Sequence, residues 1–307
     1  MDIFLQQLVN GITQGSIYAL VALGYTMVYG ILELINFAHG DVVMVGALVA
    51  LSLIGALQAL GWPAYFSVPL GLGAAMLVCM TLGVLIERVA YRPLRRAPKL
   101  APLITAIGLS IVLQQGAALL WGRGYLSFPA VWGERSWAFA GVVVTALQGV
   151  IVLLAALVMA GLLLLVQRTA LGRAMRATSQ NPAVAQLMGV DTDRVIALTF
   201  ALGSALAAVA GLMVAVYYNV GHYTMGFLLG LKAFTAAVLG GIGNLRGAML
   251  GGVLLGVVEA LGAGYIGDLT GEVFGSNYKD VFAFLVLIAV LVLHPNGLLG
   301  TRTREKV

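Results

Sequence analysis

Long apolar runs, each ended by a short polar or charged connection, recur along the whole chain. Within a run, periodicity does not separate buried from lipid-facing positions, so the run itself is the signal. A bilayer core about 30 Å thick needs about 20 mostly apolar residues per helical crossing. Runs of that kind occupy 8–32, 42–60, 64–86, 100–121, 138–166, 196–219, 228–243, 247–266 and 280–299, which predicts nine spans. The 228–243 run is short and bounded by glycine, and it reads either as a full crossing or as a broken, half-membrane helix. No stretch is long and polar enough for a soluble domain. The expected architecture is an all-α, polytopic transmembrane helical bundle forming one domain over 1–307.

Composition narrows the class further. Of 307 residues, 61% are hydrophobic and 9% charged, with a mean hydropathy of +1.01. Soluble domains carry about 25% charged residues. Too few charges remain to solvate such a surface, so most of the exterior faces lipid and a soluble enzyme is excluded. The opening residues have neither a basic region nor a cleavage signal, so no removable signal peptide is expected. The single cysteine, Cys79, cannot form an intrachain disulfide and reads as an inert core thiol.

The net charge of +5 would suit nucleic acid if it were gathered on one face, but it is not. Arg88, Arg92, Arg95, Arg96 and Lys99 fall in the loop 87–99. Arg168, Arg173, Arg176 and Arg194 fall in or beside 167–194, and Arg302, Arg304 and Lys306 in the tail. Short basic loops between apolar spans set membrane orientation, which puts all three on the cytoplasmic side and argues against a nucleic-acid partner. The parity agrees, with two spans between the first two loops and four between the second loop and the tail. Loop 122–137 is then outside, where Trp121, Trp132 and Trp137 suit an interfacial belt. Nine spans put the N-terminus outside as well.

Polar groups within apolar spans are costly, about 2.5–3.5 kcal/mol for a charge, so they face a cavity or a partner. Asn10, Thr13 and Gln14 share one face of the first span by their i, i+3, i+4 spacing. Such a stripe either lines a solute path or hydrogen-bonds to neighbouring helices, and Gln114 and Gln115 pose the same choice. Glu33, Asn36, His39 and Asp41 fall in the connection after the first span. Lys232 and Glu259 interrupt two consecutive spans joined by a tight turn near 244–246, at similar distances from it. They are expected either to pair with each other or to act separately, Lys232 reaching the interface and Glu259 meeting a partner subunit. Asn10, Thr13, Gln14, Asn36, His39, Lys232 and Glu259 are therefore the candidates for a translocation path.

Glycine is abundant, at 40 residues. Gly247, Gly251, Gly252 and Gly256 have the small-xxx-small spacing that lets helix backbones approach closely, within the chain or between subunits. In the loop 167–194, Asn181-Pro182 reads as an N-cap followed by proline at the first helical position. A short helix over 183–188 would end at Gly189 and expose Val184, Leu187 and Met188. That apolar face fits a protein partner, the membrane surface or its own subunit. Arg173, Asn181, Val184, Leu187, Met188 and Gly189 are the candidates for such a contact. No P-loop is present, and His39, His222 and His294 lack metal-ligand spacing. No cofactor or metal is expected in the chain, and no nucleophile–base motif is evident.

Residues 24–41, Gly-Tyr-Thr-Met-Val-Tyr-Gly-Ile-Leu-Glu-Leu-Ile-Asn-Phe-Ala-His-Gly-Asp, closely resemble LivH-type permeases of high-affinity branched-chain amino-acid ABC importers. The likeness continues in Glu-Arg-Val-Ala-Tyr-Arg-Pro-Leu (87–94), Asp-Arg-Val-Ile-Ala-Leu-Thr-Phe (193–200) and Lys-Ala-Phe-Thr-Ala-Ala-Val-Leu-Gly-Gly-Ile-Gly (232–243). It extends to Tyr-Lys-Asp-Val (278–281) and Pro-Asn-Gly-Leu-Leu-Gly (295–300), and so covers nearly the whole chain. The resemblance implies a multi-pass protein of the bacterial inner membrane with a cytoplasmic C-terminus, working in a heteromeric importer. It would pair with a LivM-like second permease, two cytoplasmic ATPases that use the ATP, and a periplasmic amino-acid-binding protein. A short cytoplasmic helix docks into each ATPase in such importers, and the loop near 170–189 sits where that helix belongs. Leucine, isoleucine, valine or similar amino acids are the expected cargo. Urea or short amides, an ion-coupled secondary transporter built on Lys232 and Glu259, and a non-transporting membrane scaffold remain as alternatives.

Overall fold

The structure, a computed structural model, describes residues 2–95, 97–98, 100–129, 135–139, 141–271 and 278–300. The core is built on α1 (Asp2–Leu32) and α8 (Thr192–Tyr218), the two most buried of the long helices. Around them pack α2 (His39–Ala59), α9 (Met225–Gly240) and α10 (Leu245–Thr270). Three further helices, α3 (Ala64–Ile86), α4 (Leu100–Trp121) and α5 (Ala146–Arg168), lie outermost. Their outer faces carry Leu77, Leu85, Ile104, Leu119, Leu153 and Leu157, all well exposed. An apolar exterior around a buried centre fits a lipid environment. Among the described residues, seven helices are long and apolar enough to cross a membrane.

The other two expected spans are shorter. Helix α9 has 16 residues, about 24 Å at 1.5 Å per residue, and α11 (Lys279–Leu293) has 15. The stop at Leu293, short of the expected 299, falls just before Pro295, which disfavours helix in the residue preceding it. The fifth span also needs correction. Residues 138–139 and 142–145 belong to paired strands, β2 (Ser136–Phe139) and β3 (Val142–Thr145), and α5 starts only at Ala146. The β-branched run Val142-Val143-Val144-Thr145 favours a strand. A reciprocal capping box between Thr145 and Gln148 then marks the true helix start.

Glycines carry the closest helix contacts. On α1, Gly11 and Gly15 meet the backbone of Val257 and Val253 on α10, where an added Cβ would overlap main-chain atoms. On α10, Gly252 and Gly256 face α1, whereas Gly247 and Gly251 face Gly240 and Ala236 of α9. The glycine run of 247–256 therefore packs inside the subunit, on two helix faces.

Cross-connections sort the loops to two ends of the bundle. At one end, Asn36 and Tyr91 are hydrogen-bonded at 3.0 Å, and Arg95 pairs with Asp193 at 2.6 Å. Glu33, Arg176 and Arg246 line one cavity there, and Asn244 donates to the Leu299 carbonyl at 2.8 Å. At the other end, β1 (Leu126–Ser127) pairs antiparallel with β4 (Val220–Gly221), and Gln6 brackets the backbone of Val143. Loops 87–95 and 167–194 thus share one end with Gly300, while the start of α1 lies at the end that holds β1 to β4. This is the relative sidedness expected from charge and parity. Arg96, Lys99, Trp132 and the basic tail Arg302, Arg304 and Lys306 lie outside the described residues.

Candidate functional site

The α9–α10 hairpin places its two charges together. Lys232 precedes the tight turn at 241–244 and Glu259 follows it, so the antiparallel helices carry the two side chains past one another, and Lys232 Nζ lies 2.8 Å from Glu259 Oε1. Glu259 is 1% exposed. Four more groups complete its surroundings. Gln14 Nε2 donates to the same oxygen at 3.1 Å, and the Tyr18 hydroxyl donates to Oε2 at 2.9 Å. From the start of α11, Asp280 lies 2.7 Å from Lys232 Nζ, and Lys279 Nζ lies 3.5 Å from Glu259. Two ammonium groups and two carboxylates thus balance in charge, with each buried ion met by an opposite one. Removal of two charges from water is tolerated only on those terms.

The remaining polar candidates do not join this cluster. Asn10 accepts hydrogen bonds from Gln6 at 3.3 Å and Gln148 at 3.0 Å, tying α1 to α5. The Thr13 hydroxyl donates to the Val9 carbonyl of its own helix at 2.9 Å. Of the first-span stripe, only Gln14 reaches the ion pair. His39 and Asp41 lie in the first turn of α2, not in the preceding connection, and both are buried. His39 packs over Gly24 and meets the edge of Tyr25, with ring centroids 4.8 Å apart. Asp41 Oδ1 accepts from Gln114 at 3.0 Å. Asn36 Oδ1 accepts from Tyr91, fastening the α1–α2 connection to the turn after α3. Gln115 is exposed on the outer face of α4. Cys79 is fully buried, as expected of a core thiol.

At the end of the bundle that holds the basic loops, α6 (Ala170–Gln180) and α7 (Pro182–Leu187) project from α5. Asn181 Oδ1 accepts from the backbone amides of Ala183 and Val184, both at 3.1 Å, so it caps α7 as its sequence suggests. Gly189, at φ +83°, ends the segment in a conformation that favours glycine. Leu187 is 87% and Met188 80% exposed, with Val184 half exposed and Arg173 also outward. Gln186 donates to Thr192 at 2.6 Å and links α7 to the start of α8. There Asp193 pairs with Arg92 and Arg95, and Arg95 also pairs with buried Glu87. Glu87 begins a π-helical turn over Glu87–Tyr91, which turns its carboxylate and Tyr91 inward.

Comparison with known proteins bears on this arrangement. The family described as the branched-chain amino acid transport system / permease component matches residues 7–291. The chain belongs to that family. It is 49% identical over 99% of its length to the high-affinity branched-chain amino acid transport system permease protein BraD of Pseudomonas aeruginosa, covering 98% of that protein. It is 44% identical, with the same coverage, to the permease protein LivH of Escherichia coli. An archaeal relative from Methanocaldococcus jannaschii, described as a probable branched-chain amino acid transport permease protein, is 30% identical over 95% of the chain. As a branched-chain amino-acid transport permease, the chain is a membrane translocation component of a larger transport system, not an enzyme.

Several residues of the permease's polar cluster escaped the sequence reading. Tyr18 continues the Gln14 face by four residues but reads as an apolar side chain when its hydroxyl is ignored. Lys279 and Asp280 stand at the head of an apolar helix, where charge is ordinarily solvated. Their approach to Glu259 depends on how α11 packs, which no local pattern reports. The ion pairs of Arg92 and Arg95 were likewise hidden behind the role of those residues in setting topology.

Proposed function

We propose that this permease is one translocation subunit of an ATP-driven importer of leucine, isoleucine, valine or closely similar amino acids. The observation that carries the reading is the family match over residues 7–291, with full-length relatives at 44–49% identity. Its partners are a LivM-like second permease, two cytoplasmic ATPases and a periplasmic amino-acid-binding protein. The chain itself holds no cofactor, and ATP is consumed by the ATPases. The protein sits in the inner membrane with the basic loops and the C-terminus in the cytoplasm. The shared end of 87–95, 167–194 and Gly300 supports that orientation through the positive-inside rule.

Coupling runs through α7. Its exposed Val184, Leu187 and Met188 supply an apolar surface suited to a groove on an ATPase, and Asn181 and Gly189 fix the two ends of the helix. Links through Gln186–Thr192 and Asp193–Arg95 would carry a displacement of α7 to α8 and α3. Co-purification from native membrane tests the assembly. Two ATPases, a second permease and an amino-acid-binding protein should accompany the tagged subunit, and purification as a lone subunit would contradict the assembly.

A further inference from the structure

Beside the Lys232–Glu259 pair, a cavity of about 220 Å³ opens between α1, α8 and α9. Ile17, Val214, Leu228 and Leu229 make most of its wall apolar, while Gln14, Tyr218 and Lys232 supply polar atoms. We propose that this cavity holds an aliphatic α-amino acid during translocation. The substrate carboxylate lies against Lys232, its ammonium group against Gln14 Oε1 and the Tyr218 hydroxyl, and its branched side chain between Ile17, Val214 and Leu229. The proposal rests on the transport function above and adds the site and the chemistry of recognition.

Three observations support it. The cluster of Lys232, Lys279, Glu259 and Asp280 is balanced in charge, so a zwitterion enters without leaving a net charge in a low-dielectric interior. An anion or cation alone would not. Gln14 commits its amide hydrogens to Tyr18 at 2.5 Å and Glu259 at 3.1 Å, which leaves its carbonyl oxygen to accept from the substrate. Finally, the volume falls below the about 300–1,000 Å³ of pockets for drug-sized ligands, which fits one small molecule. The apolar wall suits an aliphatic side chain and would be left unfilled by urea or a short amide. Lys232 already has two carboxylate partners, so the substrate must compete for it. The grip is therefore weak, as release on the far side requires.

The test compares leucine and valine uptake by the complete complex in vesicles, with the binding protein saturated by each in turn. Leu229→Phe narrows the cavity and should lower the leucine-to-valine rate ratio about tenfold, the scale of a methylene-sized discrimination. Val214→Leu, a smaller change, should lower it in the same direction. An unchanged ratio in an assembled Leu229→Phe complex would overturn the site. Should that variant fail to assemble, an unchanged ratio in Val214→Leu overturns it equally. Wild-type complex that carries neither amino acid would instead overturn the functional reading on which the site rests.

Discussion

Removal of Lys232 should cost more than neutralisation of Glu259, and the asymmetry follows from the geometry. Lys232→Met leaves Glu259, 1% exposed, with Lys279 at 3.5 Å as its remaining cation, and takes from Asp280 a partner at 2.7 Å. Loss of one member of a buried pair costs about 3–5 kcal/mol. Glu259→Gln keeps a carbonyl oxygen for Gln14 and Lys232, and Lys232 still has Asp280. The expected loss is that of weakened charged hydrogen bonds, about 1.5–3 kcal/mol. In the double variant no unpaired charge is left at position 259, so the combined loss should fall short of the sum by about 0.5–3 kcal/mol. The assay is unfolding of the purified subunit in mixed micelles by graded addition of denaturing detergent, read by tryptophan fluorescence, alongside uptake. Losses that add to within about 0.5 kcal/mol would refute the pairing. So would a Glu259→Gln variant less stable than Lys232→Met.

Other regions give independent tests. Leu187→Asp should abolish uptake at an unchanged membrane level, because Leu187 is 87% exposed and makes little contribution to the fold; normal uptake would remove α7 from the coupling role. Gly15→Ala should destabilise the subunit by about 1–3 kcal/mol through overlap with Val253. Gly55→Ala, with open space around it, should be neutral or stabilising by about 0.5–1 kcal/mol, and equal melting of the two variants would contradict the packing. In a Cys79→Ala background, an impermeant thiol reagent added to intact cells should label Ser127→Cys and spare Arg173→Cys, with the reverse pattern inverting the proposed orientation.

Much of the bundle was legible because lipid simplifies the code. A membrane helix announces itself by a continuous apolar run, and seven of the nine expected runs are long crossing helices. The α7 segment was legible for a different reason. Asn181, Pro182 and Gly189 are local capping signals whose geometry follows from one or two residues. The errors arose where apolar character and helix part company, as in Val142-Val143-Val144, which is apolar enough for a span but β-branched. His39 and Asp41 looked like connection residues because charge normally stays out of a membrane helix, yet both are buried at the head of α2. The Lys232–Glu259 pair could be anticipated from the hairpin, since a tight turn between two apolar helices returns the second charge past the first. Asp280 and Lys279 could not, because their approach follows from tertiary packing of α11. The glycine run at 247–256 signalled close packing but not its partners, which proved to be α1 on one face and α9 on the other.

The central claim is that this subunit carries branched-chain amino acids at the expense of ATP hydrolysed by its partners. The most direct measurement is leucine uptake into vesicles containing the purified permease pair and ATPases, with the binding protein outside and ATP within. The account predicts accumulation that requires both ATP and the binding protein and persists when proton and sodium gradients are collapsed by ionophores. Accumulation driven by an ion gradient without ATP would contradict it and turn the Lys232–Glu259 cluster into a coupling site for that ion.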